Sequence, residues 1–214
     1  IGAQPTVVVQ AFRFTGNNGG SFTNCAGLGS VTVQEGVSTP AAPGEIVITE
    51  IMNNPNQVTD ANGEWFEIYN ASSNPIDLGS LVIRHQDPAV DATAVESVVS
   101  TQQLAPGDYA VFGINANTAT NGNISVDYEY ANVNLSNTAD YLAIEDSGGV
   151  TIDLTTWDEN GVGNLDPNGA SRTLDGAILS ASQNDDDTNF CAATSPIAGS
   201  GDFGTPGAAN DLCP

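Results

Sequence analysis

The sequence predicts an all-β fold, an antiparallel β-sandwich with an extra β segment at its N-terminus, and two observations predict it. Short runs rich in Val, Ile, Tyr and Phe recur along the 214 residues between clusters of Gly, Pro, Asn and Asp, at the spacing of about 8–12 residues that marks strands joined by turns. No stretch of useful length carries the apolar period of an amphipathic helix. Hydrophobic residues make up 40% of the chain, enough to bury a core.

Taken in order, the expected strands are 6–14, 30–35, 46–52, 65–70, 80–85, 94–99, 109–113, 126–130, 141–145, 151–156 and 171–174. The run Ser38-Thr39-Pro40-Ala41-Ala42-Pro43-Gly44 combines small residues with two prolines and reads as an extended linker. It separates an N-terminal strand segment with its linker, 1–43, from a sandwich body, 44–214. Two isolated strands are marginal in water, so the β-branched and aromatic run at 6–14 must find sheet partners on its own body or on a neighbour. In 65–70, alternation sends Phe66 and Ile68 to one face and Trp65, Glu67 and Tyr69 to the other, which marks a central strand covered on both sides. Asp60-Ala61-Asn62-Gly63 just before it supplies residues that tolerate positive φ, and is expected to close a hairpin.

Charge excludes whole classes of function. The chain has no lysine, three arginines (Arg13, Arg84 and Arg172) and one histidine, against 26 acidic residues, for a formal charge of -23. Nucleic-acid binding and electrostatic membrane docking both need Lys and Arg clusters, so neither partner is expected. Lysine's absence also removes Schiff-base chemistry, a P-loop phosphate cradle and Lys-to-Asn isopeptide cross-links. Nucleophile-and-base hydrolysis would have to run through His85, which no Gly-x-Ser-x-Gly elbow accompanies. A surface or strand-end histidine hydrogen-bonded to a neighbour is the reading for His85. The chain is expected to have no catalytic residues.

Three cysteines point outside the cytoplasm. Cys191 and Cys213 flank a Gly/Pro-rich loop and are expected to pair, leaving Cys25. The start at Ile1, and the lack of an apolar stretch able to span a bilayer, lead to the expectation of a mature extracellular or cell-surface chain whose signal peptide is gone. No cofactor is expected other than Ca²⁺. The oxygen-rich runs Asp60/Asn62/Glu64, Asp158/Asn160/Asp166/Asn168 and Asp185-Asp186-Asp187 have partial calcium-loop spacing, none completes the twelve-residue pattern, and Asp185, Asp186 and Asp187 are the first choice. Asn-x-Ser sequons stand at Asn70, Asn123 and Asn134.

A family resemblance rests on ordered motifs. Gly44-Glu45-Ile46-Val47-Ile48-Thr49-Glu50-Ile51-Met52-Asn53-Asn54-Pro55 is followed by Gly63-Glu64-Trp65-Phe66-Glu67-Ile68-Tyr69-Asn70, then Pro75-Ile76-Asp77-Leu78. Leu104-Ala105-Pro106-Gly107-Asp108-Tyr109-Ala110-Val111-Phe112, Gly169-Ala170-Ser171-Arg172 and Phe203-Gly204-Thr205-Pro206-Gly207-Ala208-Ala209-Asn210 complete the series. Together they resemble the lamin tail domain, which implies an immunoglobulin-like sandwich over about 44–210. Ser80-Leu81 and Phe190 stand where that family often carries tryptophan, apolar exchanges that leave a sandwich core intact.

Function is expected to be structural: a self-assembling filament or surface-layer subunit whose partner is another copy of the chain. Val7, Val8, Val9, Phe12 and Phe14 would join copies by strand addition. The alternative is an accessory or adhesive domain of a secreted multidomain protein, beside a hydrolase or nuclease, or binding surface glycans with calcium through Trp157, Tyr128 and Tyr130.

Overall fold

Residues that alternate between apolar and polar side chains pair into ladders that bury one face each, and in this chain two such ladders meet. The chain divides into two units, Ile1–Val37 and Ser38–Pro214. The computed structural model describes residues 40–87, 92–158 and 167–214, all within the second unit. Expected strands 6–14 and 30–35 lie outside the described residues.

Strands β1 (Ile46–Met52), β2 (Trp65–Asn70), β3 (Ile76–Asp77), β4 (Leu81–Asp87), β5 (Ala92–Ser97), β6 (Gln103–Leu104), β7 (Tyr109–Gly113), β8 (Tyr128–Glu129), β9 (Ala139–Asp146), β10 (Thr151–Asp158), β11 (Arg172–Leu174) and β12 (Phe190–Ala192) follow one another. The larger sheet has the order β12-β11-β1-β2-β7-β8, the smaller β10-β9-β4-β5, and β3 pairs with β6. All pairings are antiparallel except β7 with β8.

The core lies between the sheets. Ile46, Ile48, Phe66, Ile68 and Phe112 meet Leu81, Ile83, Leu142 and Ile144, and Phe66 stacks on Phe112 with ring centroids 5.1 Å apart. On β4 the alternation is plain: Leu81, Ile83 and His85 are buried while Val82 and Arg84 are half-buried on the outer face. Every residue of β1 is buried, because the larger sheet is covered on both sides.

That second cover is the chain's C-terminal segment together with the loop before β8. Met52, Trp65 and Val111 on the outer face pack with Ile124 and Ile197, while Val47 packs with Leu174 and Phe190. Strands this short leave little pattern to read, and the short ladders β3, β6 and β12 were not among those expected from the sequence. The expected strand 126–130 contracts to β8, because Asp127 instead turns its carboxylate to accept the Val111 N–H at 2.8 Å.

The expected hairpin between β1 and β2 forms, but residues 60–63 do not turn it through positive φ. Asp60–Gly63 is one helical turn, α1, in which Glu64 N–H donates to the Asp60 carbonyl at 3.1 Å. Gly63 is outside the positive-φ set. Space dictates glycine here, since a Cβ would stand 2.3 Å from Val58 and 2.9 Å from Pro55.

Candidate functional site

Glu50 and Glu67 face each other across β1 and β2, both wholly buried on the outer side of the larger sheet. A bulge between Ile48 and Glu50 turns both Thr49 and Glu50 to that side. Thr49 Oγ1 donates to Glu67 Oε1 at 2.7 Å, and the Ser171 hydroxyl donates to Glu50. The segment after Phe203 then crosses above them. Thr205 gives Glu50 its N–H at 2.9 Å and its hydroxyl at 3.0 Å, and Gly207 N–H donates to Glu67 Oε2 at 2.6 Å. Gly207 has φ +80, which favours glycine, and a Cβ on Gly204 would stand a tight 3.0 Å from Glu50 Oε1, so glycine suits both places where the backbone comes down on the carboxylates.

Further bonds fix the rest of this strap. Asn210 Nδ2 donates to the Thr49 and Leu174 carbonyls, each at 2.8 Å. Asp211 accepts the N–H groups of Thr194 and Ser195 and the Ser195 hydroxyl, which hold its pKa below the ordinary carboxylate value. Cys191 and Cys213, the pair expected from the sequence, are joined, tying the strap's end to β12.

A similar device recurs elsewhere: a buried carboxylate accepts N–H groups from another segment of the chain. Glu64 accepts Leu135 N–H at 2.9 Å, Asp153 accepts Ile48 N–H at 2.6 Å and Asn184 Nδ2 at 2.7 Å, and Glu96 accepts Ala131 and Asn132 N–H. Burial is the leading cause of upward shifts in Glu50, Glu64, Glu67 and Asp153, opposed by their hydrogen bonds. It pushes Glu50 up to about 7, Glu64 to about 8 and Asp153 to about 7. Glu67 rises to about 9, from burial first and the Glu50 charge second.

Two facing sheets, this strand order and the motif-bearing β1, β2 and β7 suit an immunoglobulin-like module, and residues 39–159 match the Lamin Tail Domain family. The chain belongs to the lamin tail domain family. Comparison with curated proteins returns no match. The family match ends before β11, so the lamin-tail strap with Ser171, Thr205 and Gly207 lies beyond it.

The remaining sequence candidates are distributed over the lamin-tail sandwich. Asp185, Asp186 and Asp187 do not converge: Asp185 is exposed, Asp186 caps a short 3₁₀ turn by accepting Thr188 N–H and hydroxyl, and Asp187 pairs with Arg172. Those Thr188 bonds hold Asp186 below its ordinary value. The Arg172 guanidinium lies 5.9 Å from the Trp157 ring centre and 5.7 Å from that of Phe190. Among the described residues no three Asp, Glu, His or Cys side chains form a group able to hold a metal ion. Asp60 accepts Asn137 Nδ2 while Glu64 turns inward to Leu135; Asn160 and Asp166 lie outside the described residues. Val7, Val8, Val9, Phe12 and Phe14 lie outside them as well, as does Cys25.

His85 is hydrogen-bonded to a neighbour as expected, but it is buried: alternation on β4 turns it inward, where Nε2 meets Asp140 Oδ2 at 2.7 Å. Trp157 and Tyr130 are core side chains, which removes them from the glycan-stacking alternative; Trp157 Nε1 donates to the Ser136 carbonyl at 2.8 Å. Asn70 is buried with Nδ2 donating to the Asn74 and Leu104 carbonyls, so its sequon is closed in the folded chain, whereas Asn123 and Asn134 are exposed.

The carboxylate pair was not anticipated from the sequence. Its signal was present: two glutamates at central positions of apolar strands, in a chain with no lysine to pair with them.

Proposed function

We propose that the chain is a non-enzymatic extracellular structural protein, a filament or surface-layer subunit. In it, residues 6–14 of one copy, through Val7, Val8, Val9, Phe12 and Phe14, add as a strand to a sheet edge of the next. The observation that carries this reading is the edge at β5. Among the described residues β5 pairs with β4 alone, and Val95 and Val99 beside that edge are 48% and 85% exposed. An unpaired edge flanked by exposed valines is a template for another chain's strand.

A structural role also accords with how the polar side chains are spent. His85 is engaged with Asp140, and the buried glutamates hold loops to sheets. The Cys191–Cys213 bond accords with an oxidising, extracellular setting.

Size-exclusion chromatography and negative-stain imaging of the full chain, beside a version lacking residues 1 to 14, test the reading. Fibres or large oligomers are expected from the full chain, and a folded monomer from the truncated one. A full chain that stays monomeric would overturn assembly and favour the accessory or adhesive alternative. One feature favours that second reading: Tyr69 and Tyr109 are half-buried side by side, 4.9 Å between ring centres, on a surface where a sugar could stack.

A further inference from the structure

Glu50 and Glu67 occupy opposed positions on neighbouring strands, with no exposed surface. Two carboxylates so placed cannot both ionise without strong mutual cost, unless a cation lies between them. The groups that face the pair are known on each packed element. From β1 comes the Thr49 hydroxyl, from the residue before β11 the Ser171 hydroxyl, and from the strap Thr205, Gly207 and Ala208. All of these are neutral. The charge from the strap that reaches Glu50 is Asp211, another acid, and from the neighbouring strands the titratable groups acting with Glu67 and one another are Tyr109 and Tyr69. Arg172, next to Ser171, carries its guanidinium to Asp187 and over Trp157 and Phe190.

The hydroxyls make a protonated pair chemically coherent. Ser, Thr and carboxylic acid groups can each donate or accept, so when a carboxyl holds a proton, a facing hydroxyl can turn to accept it. The backbone N–H groups of Thr205 and Gly207 keep their carboxyl acceptors in either state. Thr205 and Gly207 are held to β1 and β2 by hydrogen bonds to these two side chains, and Asn210 farther along the strap bonds the Thr49 carbonyl.

We propose that Glu50 and Glu67 form a proton-holding pair that fastens the strap at Thr205 and Gly207 to the outer face of the larger sheet, and that full ionisation of the pair releases this stretch while the Asn210 bonds, the Cys191–Cys213 bond and the sandwich beneath hold. In the acid and neutral range the strap is closed. In the alkaline range two facing buried carboxylates draw water in beneath Thr205 and Gly207.

The test is carbon-13 NMR of the Glu50 and Glu67 carboxyls through a pH titration, together with amide hydrogen exchange of Thr205 and Gly207 expressed as protection relative to free peptide. At least one carboxyl is expected to keep its proton well above the ordinary value of 4.5. Protection of both strap amides should fall roughly tenfold or more between weakly acidic and alkaline pH, while that of Ile83 and Ile144 holds. In Glu50→Gln/Glu67→Gln the strap's protection should no longer depend on pH. Both carboxyls titrating near 4.5 would overturn the proposal, as would strap protection independent of pH or core amides losing protection in parallel. The wild-type titration decides the matter even if the double variant does not fold.

Discussion

The two sheets of the sandwich treat their outer faces in opposite ways. The larger sheet's outer face is roofed by the C-terminal strap, and its acids, Glu50 and Glu67, are met by hydroxyls and backbone N–H groups. The smaller sheet's outer face carries an ordinary ion pair: Arg84 grips Glu145 through Nε at 2.6 Å and Nη2 at 2.9 Å, with the arginine side chain 34% exposed. A chain with three arginines and no lysine has too few cations to neutralise most of its buried acids. Where another segment is brought down on Glu50, Glu64 or Glu67, neutral donors stand in place of a cation, and burial, only partly offset by those hydrogen bonds, makes the acid hold its proton more tightly.

Breaking each face should cost very different amounts. Cys191→Ser opens a bond that closes 22 residues of sequence separation and anchors the strap over the roofed face; about 2–4 kcal/mol of stability should be lost in denaturant titration. Thr205→Val keeps the strap's shape but removes its hydroxyl from Glu50, and should cost about 1–3 kcal/mol in the same assay. Arg84→Met should have the smallest effect on the melting curve, because the arginine end of that pair is one-third exposed and open to solvent screening, although Glu145 is buried. If Arg84→Met proved more damaging than Thr205→Val, the contrast between the faces would be wrong.

Much of the sandwich was legible because its signals are local. The alternation of Phe66 and Ile68 against Trp65, Glu67 and Tyr69 identifies β2 as a strand with cover on both sides, and it lies between β1 and β7 with one half-buried residue, Tyr69. The spacing and setting of Cys191 and Cys213 announce their pairing. The latch was not legible, because Glu50 meets Thr205 across 155 residues and neither position is unusual in its own neighbourhood. The acidic run 185–187 misled for the converse reason: adjacency in sequence suggested one site, but successive side chains around a capped turn diverge toward Thr188 and Arg172. At 60–63, turn-forming residues spoke for positive φ, while packing against Val58 and Pro55 selected a helical turn.

The pH dependence of stability tests the central claim most directly. A carboxylate paired with a cation has its pKa lowered by folding and stabilises more as pH rises; Glu50, Glu64, Glu67 and Asp153 have theirs raised. Between the ordinary carboxylate range and about 9, the folded chain therefore binds more protons than the unfolded chain, and stability must fall as pH rises. Denaturant midpoints measured across that range at high salt, where surface repulsion is screened, should decline from weakly acidic to alkaline pH, with the slope flattened in Glu50→Gln/Glu67→Gln. A midpoint that rises from acid to neutral pH and then stays level would contradict the account.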